Sequence, residues 1–246
     1  MADSFLRSSL VFSVIPPGDQ LSLETERQVR QLLRRFEHRN LAAAWAIPVE
    51  LFDAEHSSPG QELAILAEGA STGIVRRDEF SRRLVRRLTH AQSSGLPVST
   101  IALGAASEIR NADLLVKHGL TMITGRRGTS RLDRSPAQVR WGLWNVPATT
   151  VIRNTTGWLS AIGGRSAFRQ LLVTLRDHRI AHLQIQLDNT PVSRRDPLRG
   201  VDRILSQVLD FGAAGRLENK TLSTLATELT YGPKSRSTQS ILRRVA

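Results

Sequence analysis

The chain of 246 residues contains no cysteine. That excludes a disulfide scaffold, a thiolate nucleophile and a cysteine-ligated zinc site, so any bound metal would have to rest on His, Asp or Glu. Aromatic residues make up only 5%, and lysine occurs only at Lys117, Lys220 and Lys234. No uninterrupted apolar run reaches the roughly 18 residues that a membrane-spanning helix needs. The short apolar run at residues 9–15 ends at Pro16-Pro17 without a small-residue cleavage pattern, so it reads as a strand and not as a signal peptide. A cytoplasmic protein without a membrane span is the expectation. There is no Gly-x-Ser-x-Gly elbow and no Gly-x-Gly-x-x-Gly turn after the first apolar run. Serine hydrolases of that type and dinucleotide binding drop out with them.

Positive charge, by contrast, is abundant. A net charge of +12 and a pI near 11.5 favour anionic partners such as nucleic acid, an acidic glycan or a membrane surface. The basic residues are almost all arginine and are spread along many segments, a pattern that a GC-rich coding bias produces without any ligand.

Hydrophobic periodicity alternates between strand and helix throughout. Residues 10–15 form a β-branched and aromatic run closed by Pro-Pro-Gly, the punctuation of a buried strand. From Ser22 the spacing of Val29, Leu32, Leu33 and Phe36 predicts a helix to about Arg39, with Ser22 as N-cap and Glu24 and Glu26 at the favourable end of its dipole. Residues 42–47 are apolar on both faces, as in a covered parallel strand. Further strands are expected at 63–67, 98–103, 120–124, 146–151 and 180–187, and helices at 78–94, 111–118, 166–178, 197–212 and 221–229. Alternation of this kind predicts a largely parallel α/β sheet, open or closed into a barrel. One domain over residues 1–231 is expected, followed by a basic, flexible tail at 232–246.

Three passages have a familiar order. The helix from Thr25 to Asn40 leads into Leu41-Ala42-Ala43-Ala44-Trp45-Ala46-Ile47; Gly60-Gln61-Glu62-Leu63 precedes the next strand; and Ala112-Asp113-Leu114-Leu115-Val116-Lys117-His118-Gly119-Leu120 joins a helix to a strand through glycine. Together they resemble the NodB-type polysaccharide deacetylases over residues 9–231. The resemblance implies a distorted (β/α) barrel of seven or so strands. It also implies hydrolysis of N-acetyl or related groups, with a divalent metal such as zinc on one Asp and two His, a second Asp as base and a later His as acid. Metal-activated water and a polarised carbonyl explain why those residue types are needed.

The chain departs from that pattern where the chemistry would sit. The family has paired aspartates at the end of its first strand, but here the run is Phe12-Ser13-Val14-Ile15. After Gly60-Gln61-Glu62 the family's His-x-x-x-His is missing, and the chain continues Leu63-Ala64-Ile65-Leu66-Ala67-Glu68-Gly69-Ala70. No metal and no other cofactor is therefore expected. Asp19, Glu68 and His182 are the weak catalytic candidates left, though a turn aspartate and a loop glutamate need no function. His178-Arg179-Ile180-Ala181-His182 has the ligand spacing but straddles a predicted helix end and strand start, with Asp188 the nearest carboxylate of interest. Asp53, Glu55 and His56 form a polar cluster after the second strand that a solvated loop also explains.

For ligand binding, Arg126, Arg127 and Arg131 lie in the loop Gly125-Arg126-Arg127-Gly128-Thr129-Ser130-Arg131, where guanidiniums suit a phosphate, uronate or sulfate. Trp144, with Trp141 and Trp158 near it in sequence, offers an indole for a sugar ring or, more commonly, for packing. The expectation is a catalytically inactive or strongly diverged polysaccharide-deacetylase-like protein that binds an anionic or acetylated glycan or a protein partner. A basic nucleic-acid-binding protein, using the tail at 234–244, and an active deacetylase with a relocated site are the alternatives.

Overall fold

In a computed structural model of the chain the described residues are 8–18, 21–52, 59–67, 77–103, 111–127, 135–153, 158–187 and 198–232, without the side chains of 125–127 and 158–165. β1 (Ser8–Ile15) is followed by α1 (Leu23–His38), and the helix starts where the capping signal predicts: the Ser22 hydroxyl accepts from the Thr25 amide at 3.2 Å. The α1 residues Val29, Leu32, Leu33 and Phe36 are fully buried. Phe36 meets Phe12 and Trp45 edge-on, with ring centroids 5.2 and 5.4 Å away, which is the preferred aromatic geometry.

After β2 (Ala43–Trp45) the chain makes a 3-10 turn at Val49–Leu51, and then come β3 (Gln61–Ala67), α2 (Arg77–Ser93), β4 (Thr100–Leu103), α3 (Ala112–Lys117) and β5 (Met122–Arg127). The second half contains β6 (Ala137–Arg140), β7 (Leu143–Ala148), β8 (Thr150–Arg153), α4 (Trp158–His178), β9 (Ile180–Gln186), α5 (Arg199–Ala213), β10 (Leu217–Asn219) and α6 (Leu222–Tyr231). Sheet order is β6-β7-β5-β4-β3-β2-β1-β9-β8, with β10 beside the start of β1. Among the described residues only β6 and β7 pair antiparallel.

The sheet curls into a half-barrel, and its topology shows what curls it. β7 pairs with β5 and β8 pairs with β9, yet only Thr149 separates β7 from β8. One nearly continuous run thus pairs with β5 towards one side of the sheet and with β9 towards the other. The expected single strand at 146–151 is this longer run, and β6 and β10 are additions to the expected set. Among the described residues ten strands, one antiparallel to its neighbour, stand where seven or so are expected.

Alternate residues along each strand point to opposite faces. On β1, Leu10, Phe12 and Val14 join the cluster under α1, α4 and α5, whereas Val11 and Ile15 join the inner cluster with Ala44, Ala46, Ala64, Ala102, Met122 and Val146. Leu222, Leu225 and Ala226 of α6 complete that inner cluster. α6 is fixed across the amino ends of the strands: the Trp144 indole donates to Thr230 at 3.0 Å, and the Ser223 amide donates to Glu62 at 3.2 Å. Asn219 clips the same end, donating to the carbonyls of Leu10 and Ala42 at 3.2 Å each while accepting from the Ala42 amide.

Candidate functional site

The inner face of the sheet carries hydroxyls and amides among its small apolar residues. His182, on β9, is fully buried there. Its Nδ1 lies 3.0 Å from the Val146 carbonyl, which only accepts, so Nδ1 carries the proton. Nε2 is then an acceptor, and the Ser13 hydroxyl of β1 donates to it at 2.7 Å. Thr124 Oγ1 of β5 lies 3.2 Å from both nitrogens. Thr149 and His182 are also joined by three bonds: the Thr149 amide and hydroxyl each donate to the His182 carbonyl at 2.9 Å, and the His182 amide donates to the Thr149 hydroxyl at 3.0 Å. Burial drives the His182 pKa down to about 4, outweighing the opposite pull of the Val146 and Pro147 backbone.

A neutral imidazole with both nitrogens committed holds β1, β7 and β9 together. Its Nε2 lone pair and its Nδ1 proton are both taken up by partners within the core, which is where the structure places this weak catalytic candidate. Nor does His178 join it: Arg179, at φ 58°, turns the chain between α4 and β9, and His178 Nδ1 instead lies 3.1 Å from the Ser135 hydroxyl. Among the described residues no three His, Asp or Glu side chains come together as a metal site. Two further inner-face groups, Thr100 Oγ1 and Gln184 Oε1, are buried without a hydrogen-bond partner.

The Gly-Gln-Glu passage has structural work of its own. Gly60 sits at φ 100°, a conformation that favours glycine, 3.3 Å from Ala42 Cβ by its would-be Cβ. Gln61 accepts from the Trp45 indole at 2.7 Å and donates to the Leu41 carbonyl at 2.7 Å. Glu62 accepts from Ser223 of α6. All of these hold strand ends in place.

Of the other expected residues, Asp19, Glu68 and Arg131 lie outside the described residues, as do Asp53, Glu55, His56, Asp188 and the tail. For Arg126 and Arg127 only the backbone is described, within β5. Trp144 is half-buried and bonded to α6, so the structure gives it a packing role. Trp141 meets solvent: it is 63% exposed at the tip between β6 and β7, at φ 47°, with the Arg140 guanidinium 5.7 Å from its ring.

One pocket, of about 220 Å³, opens where β2 and β3 part, against α2. Arg87 and His90 of α2 and Glu50 of the 3-10 turn supply its polar side chains. Helical spacing placed Arg87 and His90 on α2, but nothing local in the sequence links them to β3. No helix is long and apolar enough to cross a membrane among the described residues. No family model matches the chain, and no curated protein matches it in sequence.

Proposed function

We propose that the chain is a non-catalytic or strongly diverged relative of the NodB-type polysaccharide deacetylases that binds an anionic or acetylated glycan. One observation carries this reading. Where the resemblance calls for a metal-binding aspartate at the end of the first strand, the chain has Ser13, whose hydroxyl is spent on neutral His182 at 2.7 Å. A hydroxyl bonded to a buried imidazole is a poor ligand for a divalent cation compared with a carboxylate. Three local passages of the sequence carry the family likeness, and the net charge of +12 favours a uronate- or sulfate-bearing chain over a neutral one.

The test combines metal analysis of the purified protein, turnover of N-acetylated oligosaccharides, and titration with acidic and acetylated glycans. Saturable glycan binding without deacetylation is the expected result. Stoichiometric zinc with turnover that disappears in Asp19→Asn or Glu68→Gln would establish a relocated active site instead. A salt-dependent DNA shift lost on removal of residues 233–246, with no glycan binding, would move the assignment to nucleic acid.

A further inference from the structure

The turn between β6 and β7 is built around a backbone outlier. Arg140 and Leu143 are paired, so Trp141 and Gly142 alone make the turn, and both have positive φ, 47° and 82°. A two-residue turn of that kind fits the twist of a hairpin, and its first position ordinarily takes Asn, Asp or Gly. Tryptophan there holds a bulky side chain in a left-handed conformation that disfavours it. Packing does not compensate, because the residue is 63% exposed. An unfavourable conformation with no burial to offset it points to a contact made outside the fold.

The surface around it extends beyond one ring. β7 runs parallel to β5, so the turn lies at the amino ends of the parallel strands, the end that α6 crosses. The Trp144–Thr230 bond brings the last turn of α6 there, and with it Tyr231, the chain's only tyrosine, 83% exposed. α3 packs against β6 and β7 and ends at the exposed Lys117. Arg140, also exposed, stands over the Trp141 ring at 5.7 Å. The one carboxylate of α6, Glu228, is bonded to Lys220 at 2.6 and 2.8 Å, so its charge is already matched. Aromatic faces carry negative potential and take the polarised C–H face of a sugar ring, while a guanidinium takes a carboxylate by charge-assisted bonds. A uronate offers both. Its carboxylate stands one bond off the sugar ring, within reach of the long Arg140 side chain when that ring is stacked on Trp141.

We propose, resting on the glycan reading, that this surface at the amino ends of the strands holds a uronate-bearing glycan, with one ring stacked on Trp141, its carboxylate at Arg140 and a further ring on Tyr231. It lies opposite the end of β1 at which the resemblance calls for a metal. Tetragalacturonate is the probe. Its methyl ester, with the same rings and no charge, is the control, and a thymidine pentanucleotide of equal charge is the rival. Calorimetric titration of the full chain should give saturable binding of tetragalacturonate, with the Trp141 indole proton shifted in NMR. The methyl ester should bind about tenfold more weakly, and Arg140→Gln should remove that difference. Trp141→Asn should weaken binding about tenfold and Tyr231→Ala about threefold. The far-ultraviolet circular dichroism of each should be unchanged, because both side chains are exposed. Unchanged affinity in Trp141→Asn or Tyr231→Ala, equal affinity for acid and ester, or tighter binding of the pentanucleotide would each overturn the proposal while glycan binding itself stands. Absence of saturable binding by any acidic or acetylated glycan would overturn the glycan reading and this proposal with it.

Discussion

Lowering the pH should destabilise the fold through one histidine. His182 is neutral and fully buried, with a pKa of about 4 in the folded chain against about 6.5 for a free imidazole. As pH falls below about 6.5 the unfolded chain takes up this proton and the folded chain does not, so stability declines, and the decline levels off below about 4. A difference of roughly two and a half pK units corresponds to about 3 kcal/mol once complete, and to about 2 to 3 kcal/mol at pH near 4.5. For a domain stable by about 5–15 kcal/mol that is a large fraction. Urea unfolding at pH 7 and pH 4.5 would measure it, with His182→Gln as reference, since the glutamine amide does not titrate and carboxylate effects common to both chains cancel. Wild type should lose about 2 to 3 kcal/mol more than the variant between the two pH values. A difference below about 1 kcal/mol, or an imidazole proton of His182 that titrates near the free value by NMR, would refute the reasoning.

Two other substitutions probe the frame around the candidate sites. Phe36→Ala removes a fully buried ring in edge contact with Phe12 and Trp45, and should cost about 3–5 kcal/mol in urea unfolding. Trp141→Asn replaces an exposed residue at φ 47° with one that tolerates this turn, and should leave stability unchanged or raise it by up to about 1 kcal/mol, measured as the thermal midpoint.

Local patterns in the sequence were a good guide wherever a residue's neighbours along the chain decide its conformation. The Ser22 cap, the apolar stripe of α1, the β2 run and the glycine turn at Gly119 all reflect contacts within a few residues. β10 was missed because Leu217–Asn219 is too short to show alternation, and it is a strand only because β1 lies beside it. β7 and β8 merged into one expected strand at 146–151 because the sequence there is continuous, while the partners change at Thr149. At the candidate sites, the lack of Asp and His in residues 12–15 and 63–67 was visible directly. The contacts of these segments were not: Ser13 and His182 are 169 residues apart, and Arg87 meets Leu66 only because α2 folds back over β3.

The chain's sequence by itself determined that an α/β sheet forms, that cysteine chemistry is absent and that carboxylates are missing from the end of β1, since these depend on residue identity and on periods of two and 3.6 residues. Only the tertiary structure decided that His182 is a neutral brace across β1, β7 and β9, and that a pocket opens where β2 and β3 part. Protonation state and cavity shape depend on which distant groups surround a side chain and on how much water they exclude, and neither is a property of the residue alone.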